Sequence, residues 1–147
     1  MNASENCFDT NVLARAHQLA HGPARHGLLF VATGSDVLIL SQYLLQELRR
    51  ILGYPRVLKS SGLTAGDISE YLDYLARVST LVHPLSVPEK LLRDPADEPV
   101  LGTALAGNAD VICTRDADFF TEEVRRFSAA RGIQILSDLE LLRALRL

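Results

Sequence analysis

Short runs of apolar residues recur along this chain, and the stretches between them carry apolar residues at helical spacing. The runs are Asn6–Phe8, Asp36–Leu40, Leu81–Pro84, Val111–Cys113 and Ile133–Leu136, and they read as strands. This alternation leaves few architectures open. Strands joined through helices run parallel, because a parallel connection needs the length of a crossover. A parallel sheet in turn needs helices on both faces. The expected fold is a three-layer α/β/α arrangement around a central parallel sheet of about five strands. A chain of 147 residues suits one domain, here 1–147, with no internal repeat or low-complexity tract.

The helices follow from the same periodicity. One is expected over Val12 to Ala20, broken by His21-Gly22-Pro23, and a second over Ala24 to Ala32. Ser41 caps a helix to Leu52, which Gly53-Tyr54-Pro55 stops, leaving 56–63 as a basic connection. Thr64 with Asp67 forms a capping box for a helix to Ser79. Residues 86–99 carry Pro88, Pro95 and Pro99 and read as a loop or broken helix. Later helices are expected from Asp97 to Gly107, from Thr121 to Ala130, and from Ser137-Asp138 to Leu145.

In open parallel sheets, ligands bind beyond the carboxyl ends of the strands, where the strand order reverses. Acids occupy those ends here: Asp9 closes the first strand, and Asp116 and Asp118 follow the Val111–Cys113 strand. Asp9 taken alone is equally a helix N-cap. On the 41–52 helix, a 100° advance per residue gathers Leu44, Leu45, Leu48, Ile51 and Leu52, with Gln42, Gln46, Arg49 and Arg50 opposite. Glu47 borders the apolar face. Asp97 projects into the Val100, Leu101, Ala104, Leu105 face of its helix, where a cap shared with Asp94 is the competing reading. Converging carboxylates repel one another, and the only lysines are Lys59 and Lys90, away from these strand ends. A hard divalent cation such as magnesium answers that repulsion.

Charge narrows the function classes. With 15 basic and 18 acidic residues the net charge is −3, so binding to nucleic acid by charge alone is excluded; local arginines or bound cations must carry it. There is no Trp and little aromatic content for stacking bases. Cys7 and Cys113 lack zinc or disulfide spacing and read as reduced thiols of a cytoplasmic protein. No basic cluster precedes an apolar stretch at the start, and no apolar run has membrane-spanning length, so no membrane role is expected.

Four segments resemble the motifs of PIN-domain ribonucleases: Phe8-Asp9-Thr10-Asn11-Val12-Leu13; Ser41 to Leu48; Asp94-Pro95-Ala96-Asp97-Glu98-Pro99-Val100; and Ala104 to Asp110 followed by Thr114-Arg115-Asp116-Ala117-Asp118-Phe119. The third has the form of a toxin-like subgroup. The resemblance implies a PIN fold with the first and fourth strands adjacent, which would make Cys7 and Cys113 neighbours in the core. It implies an acidic quartet of Asp9, Glu47, Asp97 and Asp116, with Asp118 as a fifth acid, Asn11 and Thr114 as supporting hydrogen-bonding groups, and Asp94 as the rival third ligand. It implies one or two Mg²⁺ or Mn²⁺ ions and in-line attack of water on an RNA phosphodiester, with Arg15, Arg49, Arg50 and Arg115 as candidates for holding the RNA backbone. Stand-alone PIN toxins further imply a small antitoxin partner and a homodimer.

Two other classes compete. An Asp-based phosphotransferase or phosphatase also carries an Asp at the first strand end, but one type wants a second Asp where Asn11 stands, and the other a late-strand lysine that is absent. A non-catalytic PIN-like module that binds RNA or protein is the other, and the presence of all four acids speaks against it.

Overall fold

The computed structural model of the protein describes residues 3–88 and 90–145. Its sheet has five strands in the order β3-β2-β1-β4-β5: β1 (Glu5–Phe8), β2 (Val37–Leu40), β3 (Ser79–Leu81), β4 (Val111–Cys113) and β5 (Gln134–Leu136). All four strand pairs are parallel. The central strands are buried almost throughout, as apolar runs covered on both faces must be. The helices are α1 (Thr10–Leu13), α2 (Pro23–Thr33), α3 (Gln42–Leu52), α4 (Pro55–Ser61), α5 (Ala65–Val78), α6 (Glu98–Ala106), α7 (Glu122–Ala129) and α8 (Asp138–Leu145). The result is the expected three-layer α/β/α fold. Among the described residues, no helix is long and apolar enough to cross a membrane.

The order of strands fixes where a site can form. From β1 the chain steps outward to β2 and β3, then returns across the sheet to β4 and β5. With right-handed crossovers, these two journeys place their helices on opposite faces. The crossovers therefore part between β1 and β4, and beyond the carboxyl ends of these strands is where open parallel sheets form their ligand crevice. The pairing Cys7↔Ile112 and Phe8↔Cys113 brings Asp9 alongside the residues that follow β4. Cys7 and Cys113 are neighbours one residue out of register, so their side chains face opposite layers. Both are free and buried, and burial pushes both thiols well above the usual range, as suits core packing.

Three elements differ from the expectation. The first helix ends at Leu13 rather than Ala20; beyond it the backbone tightens into turns, with Arg15 N donating to the Val12 carbonyl and Ala16 N to that of Leu13, and side chains from elsewhere brace them. The Tyr71 hydroxyl donates to the Leu13 carbonyl at 2.7 Å, and Arg25 Nη1 donates to that of Ala16 at 2.9 Å. The basic connection is in fact α4, since Pro55 occupies the first helical turn, where its missing N–H costs nothing, and Gly62 closes it in a left-handed conformation at φ 76°. The third strand lies at Ser79–Leu81, not Leu81–Pro84, because pairing with Leu38–Leu40 begins directly where α5 ends. The remaining helices follow the expected caps: Ser41 accepts from Leu44 N, and Thr64 and Asp67 close a capping box.

The stretch from Val82 to Asp94 carries the chain from β3 to the third acidic segment. Leu85 N donates to the carbonyl of Gly102 in α6 at 3.0 Å, and a Cβ at Gly102 would collide with the Leu85 backbone. Gly102 thus sets how closely this stretch approaches the helix that follows Asp97. We expect Gly102→Ala to lower unfolding stability by about 1–3 kcal/mol through overpacking, measured by urea denaturation; a midpoint equal to the wild type would refute this close approach.

Candidate metal centre

Asp9 is 3% exposed and follows β1, where its backbone N–H continues the ladder to the Cys113 carbonyl at 2.9 Å. It stands at the N-cap position of α1, yet its side chain caps nothing. Its carboxylate instead receives side-chain donors: Thr114 Oγ1 at 2.7 Å, Asn11 Nδ2 at 3.3 Å and Thr10 Oγ1 at 3.3 Å. Thr114 is fully buried, and its hydroxyl oxygen also accepts from Asp116 N at 3.0 Å. Asp116 Oδ1 accepts from Asp118 N at 2.9 Å, and Asn11 Oδ1 from Arg115 N at 3.3 Å. One continuous chain of hydrogen bonds therefore orients Asp9, Thr114 and Asp116 relative to each other.

Asp97 arrives from the other side of the switch point. It too occupies an N-cap position, that of α6, without a capping hydrogen bond. Asp94 does the capping, accepting from Ala96 N at 3.0 Å. The two acids of the third segment thus divide between a turn and the crevice. Oxygens of Asp97, Asp116 and Asp118 lie within 4.8 Å of one another, and Oδ2 of Asp97 is buried with no hydrogen-bond partner. A buried carboxylate oxygen left without a donor is costly, and a proton at low pH or a cation above it would relieve that cost. Hard oxygen donors half-buried at a crevice fit magnesium or manganese and do not fit a soft metal.

The electrostatics agree with the geometry. Burial first, then the adjoining carboxyl of Asp116 and the charges of Asp116, Asp9 and Asp94, push the Asp97 carboxyl up to about 8. Burial likewise raises Asp9, opposed by the hydrogen bonds from Thr114 and Thr10 and reinforced by the charge of Asp116.

The remaining residues singled out from the sequence make other contacts. Glu47 is half-buried on α3 and paired with Arg50, whose Nε donates to Glu47 Oε2 at 3.3 Å and whose guanidinium also reaches the Tyr54 hydroxyl. It is not among the three acids whose oxygens meet. Arg49 is exposed and borders a groove with Leu72 and Asp73 of α5. Arg15 is exposed after α1. Arg115 stays at the site, its backbone on Asn11 and its Nε 3.8 Å from Asp138.

Two residues escaped the sequence reading. Asp138, taken there as a helix cap, is a carboxylate only 5% exposed that faces Arg115 across the end of β5. Arg93 lies 4.0 Å from Asp118. Its one signal in the sequence is its place immediately before Asp94-Pro95.

A five-stranded parallel sheet with acids gathered where its strand order turns defines an α/β/α protein whose centre suits a hard cation. The PIN domain family model matches residues 6–118, and the chain belongs to the PIN-domain family. A chain of the VapBC2 structure from Rickettsia felis, bound to a DNA fragment from their promoter, has a TM-score of 0.53 at 15% identity, covering 89% of this chain and 98% of that one. At that identity the likeness is one of fold. No curated protein matches the sequence.

Because Asp97 is raised to about 8, the folded chain keeps a proton that the unfolded chain has released above about pH 4. Stability contributed by that proton is complete below the unfolded pKa and is lost as pH rises through the folded one. In chelator, the denaturation midpoint should therefore fall between about pH 5 and about pH 8, and Asp97→Asn should flatten the fall. A midpoint that holds level in the wild type would contradict the crowding of these acids.

Proposed function

We propose that this protein is a ribonuclease that hydrolyses RNA phosphodiester bonds with Mg²⁺ or Mn²⁺. The observation that carries the reading is the meeting of Asp97, Asp116 and Asp118 beside the hydrogen-bonded Asp9, with an Asp97 oxygen left unsatisfied. Membership of the PIN-domain family supports it. Asp9, Asp97 and Asp116, with Asp118, would hold the ion; Glu47 would join them by exchanging Arg50 for the cation. A divalent ion bound there supplies Lewis acidity, acidifying water and offsetting charge on a phosphate oxygen.

The chain's own residues do the rest. Thr114 and Asn11 fix the orientation of the Asp9 carboxyl by donating to it, and the Thr114 hydrogen bond opposes the rise that burial imposes. Burial of Asp9 and Thr114 keeps bulk water from competing for that carboxylate. Arg115, braced by Asp138, would offer its guanidinium to the RNA backbone. Arg15 and Arg49 would make only outlying contacts.

We assign the whole of 1–147 to one domain and the biological role to the toxin half of a toxin–antitoxin pair in the cytoplasm, held in check by a small antitoxin protein. The motifs of the stand-alone PIN toxins support this, as does the fold shared with a chain of the VapBC2 complex. Exposed Phe30, Tyr43 and Leu139 offer apolar surface for that partner or for a second copy in a homodimer.

Incubation of the purified chain with total RNA in Mn²⁺ tests the activity. Cleavage should vanish in chelator and drop by about two orders of magnitude or more in Asp9→Asn and in Asp116→Asn, each with an unchanged fold by circular dichroism. Cleavage that persists in both variants would mean that the nuclease centre lies elsewhere. RNA binding without any metal-dependent cleavage would instead favour the non-catalytic module.

A further inference from the structure

An acidic centre repels the polyanion it is meant to cut, so a cation placed at its rim has a definite task. Among the described residues, Arg93 is the one cation within ion-pair distance of an acid of the cluster, with Nε 4.0 Å from Asp118 Oδ1. Its side chain is 85% exposed, whereas that of Asp118 is 22% exposed. At 4.0 Å the approach is too long for a hydrogen bond, and no donor of Arg93 is engaged in one among the described residues. An exposed pair of this kind adds at most about 1 kcal/mol to stability, so it gives little structural reason for an arginine here.

The backbone beneath Arg93 is nonetheless fixed. Leu92, on one side, is 4% exposed in the core. Asp94, on the other, caps the turn to Asp97, with its side chain accepting from Ala96 N at 3.0 Å and its carbonyl from Asp97 N at 3.0 Å. An unengaged guanidinium thus stands beside the acids, on backbone anchored by Leu92 on one side and the Asp94 cap on the other. Its planar fork of donors matches a phosphate by two parallel hydrogen bonds. Arg50 cannot do this while Glu47 and Tyr54 hold it.

We propose that Arg93 is a substrate-binding residue that takes a backbone phosphate of single-stranded RNA at the rim of the acidic cluster, leaving Asp118 to do so. The proposal rests on the ribonuclease reading for its substrate class.

The test measures anisotropy of a fluorescein-labelled, mixed-sequence single-stranded RNA bound to the full chain in chelator, where no cleavage occurs, over a range of salt concentrations. Arg93→Ala should weaken binding by about tenfold and make the log–log salt slope shallower by about 0.7, the share of one phosphate contact on a single strand. Arg93→Lys should recover the slope but only part of the affinity. Arg126→Ala, which removes an equal charge from an exposed ion pair with Glu122 on α7, should leave both near the wild type. Affinity for Mn²⁺, read by electron paramagnetic resonance, should be the same in Arg93→Ala and the wild type. An unchanged salt slope in Arg93→Ala would overturn the proposal. So would a loss of Mn²⁺ affinity with RNA binding intact, since Arg93 would then merely brace Asp118. If the wild type cleaves RNA in Mn²⁺ and Arg93→Ala leaves KM unaltered, the proposal falls and the nuclease reading stands. If the wild type never cleaves RNA yet its binding depends on Arg93, the nuclease reading falls and the RNA contact stands.

Discussion

The hydroxyl of Thr114 meets the carboxylate of Asp9 at 2.7 Å across the seam of β1 and β4, between residues 105 positions apart. Both groups are buried, so neither can turn to water if the other is lost, and the bond carries the penalty that low dielectric places on an unmade partner. The parallel pairing of β1 with β4 is what permits it. That pairing exists because the chain doubles back across the sheet after β3, and the same return parts the helices and leaves the crevice open. The topology and the site are therefore two consequences of one constraint.

Much of this was legible in the sequence because it rests on local signals. The apolar runs and the caps at Ser41 and Thr64 fix their elements by short-range chemistry. Asp9, Asp116 and Asp118 were placed by their distance from strand ends, and Asp97 by its position on the apolar face of its helix. What was illegible depends on contacts distant in the chain. Nothing near Leu13 announces that Tyr71 will brace its carbonyl where the helix gives way to turns. Asp94 and Asp97 are indistinguishable by residue type; only the turn geometry shows that Asp94 caps while Asp97 does not. Arg93 carries no periodic signal, and its meaning comes from Asp118, which lies beyond α6 and β4 in the chain. Asp138 reads as an ordinary first-turn acid until its burial beside Arg115 is seen.

The distribution of charge answers the difficulty that a net charge of −3 raised. The protein does not offer a general basic surface. It sets single arginines against single acids around the crevice: Arg93 with Asp118, Arg115 with Asp138, Arg50 with Glu47. Each pair tempers the negative field near its acid and leaves the Asp97, Asp116 and Asp118 cluster itself unneutralised; on the ribonuclease reading, that would ease the approach of a phosphate.

That division implies a trade between stability and readiness for metal. Thr114 and Asn11 donate to Asp9, and Asp116 receives the N–H of Asp118, but Asp97 receives nothing on its buried oxygen. Supplying a donor there would stabilise the cation-free fold and at the same time fill the position a cation would take. On the metal-dependent reading, the unsatisfied oxygen would make the cation-free protein less stable than its packing permits, and a bound ion would recover that loss. A ligand that brought positive charge to Asp97, Asp116 and Asp118 together would relieve all three at once, which a proton on Asp97 alone does not.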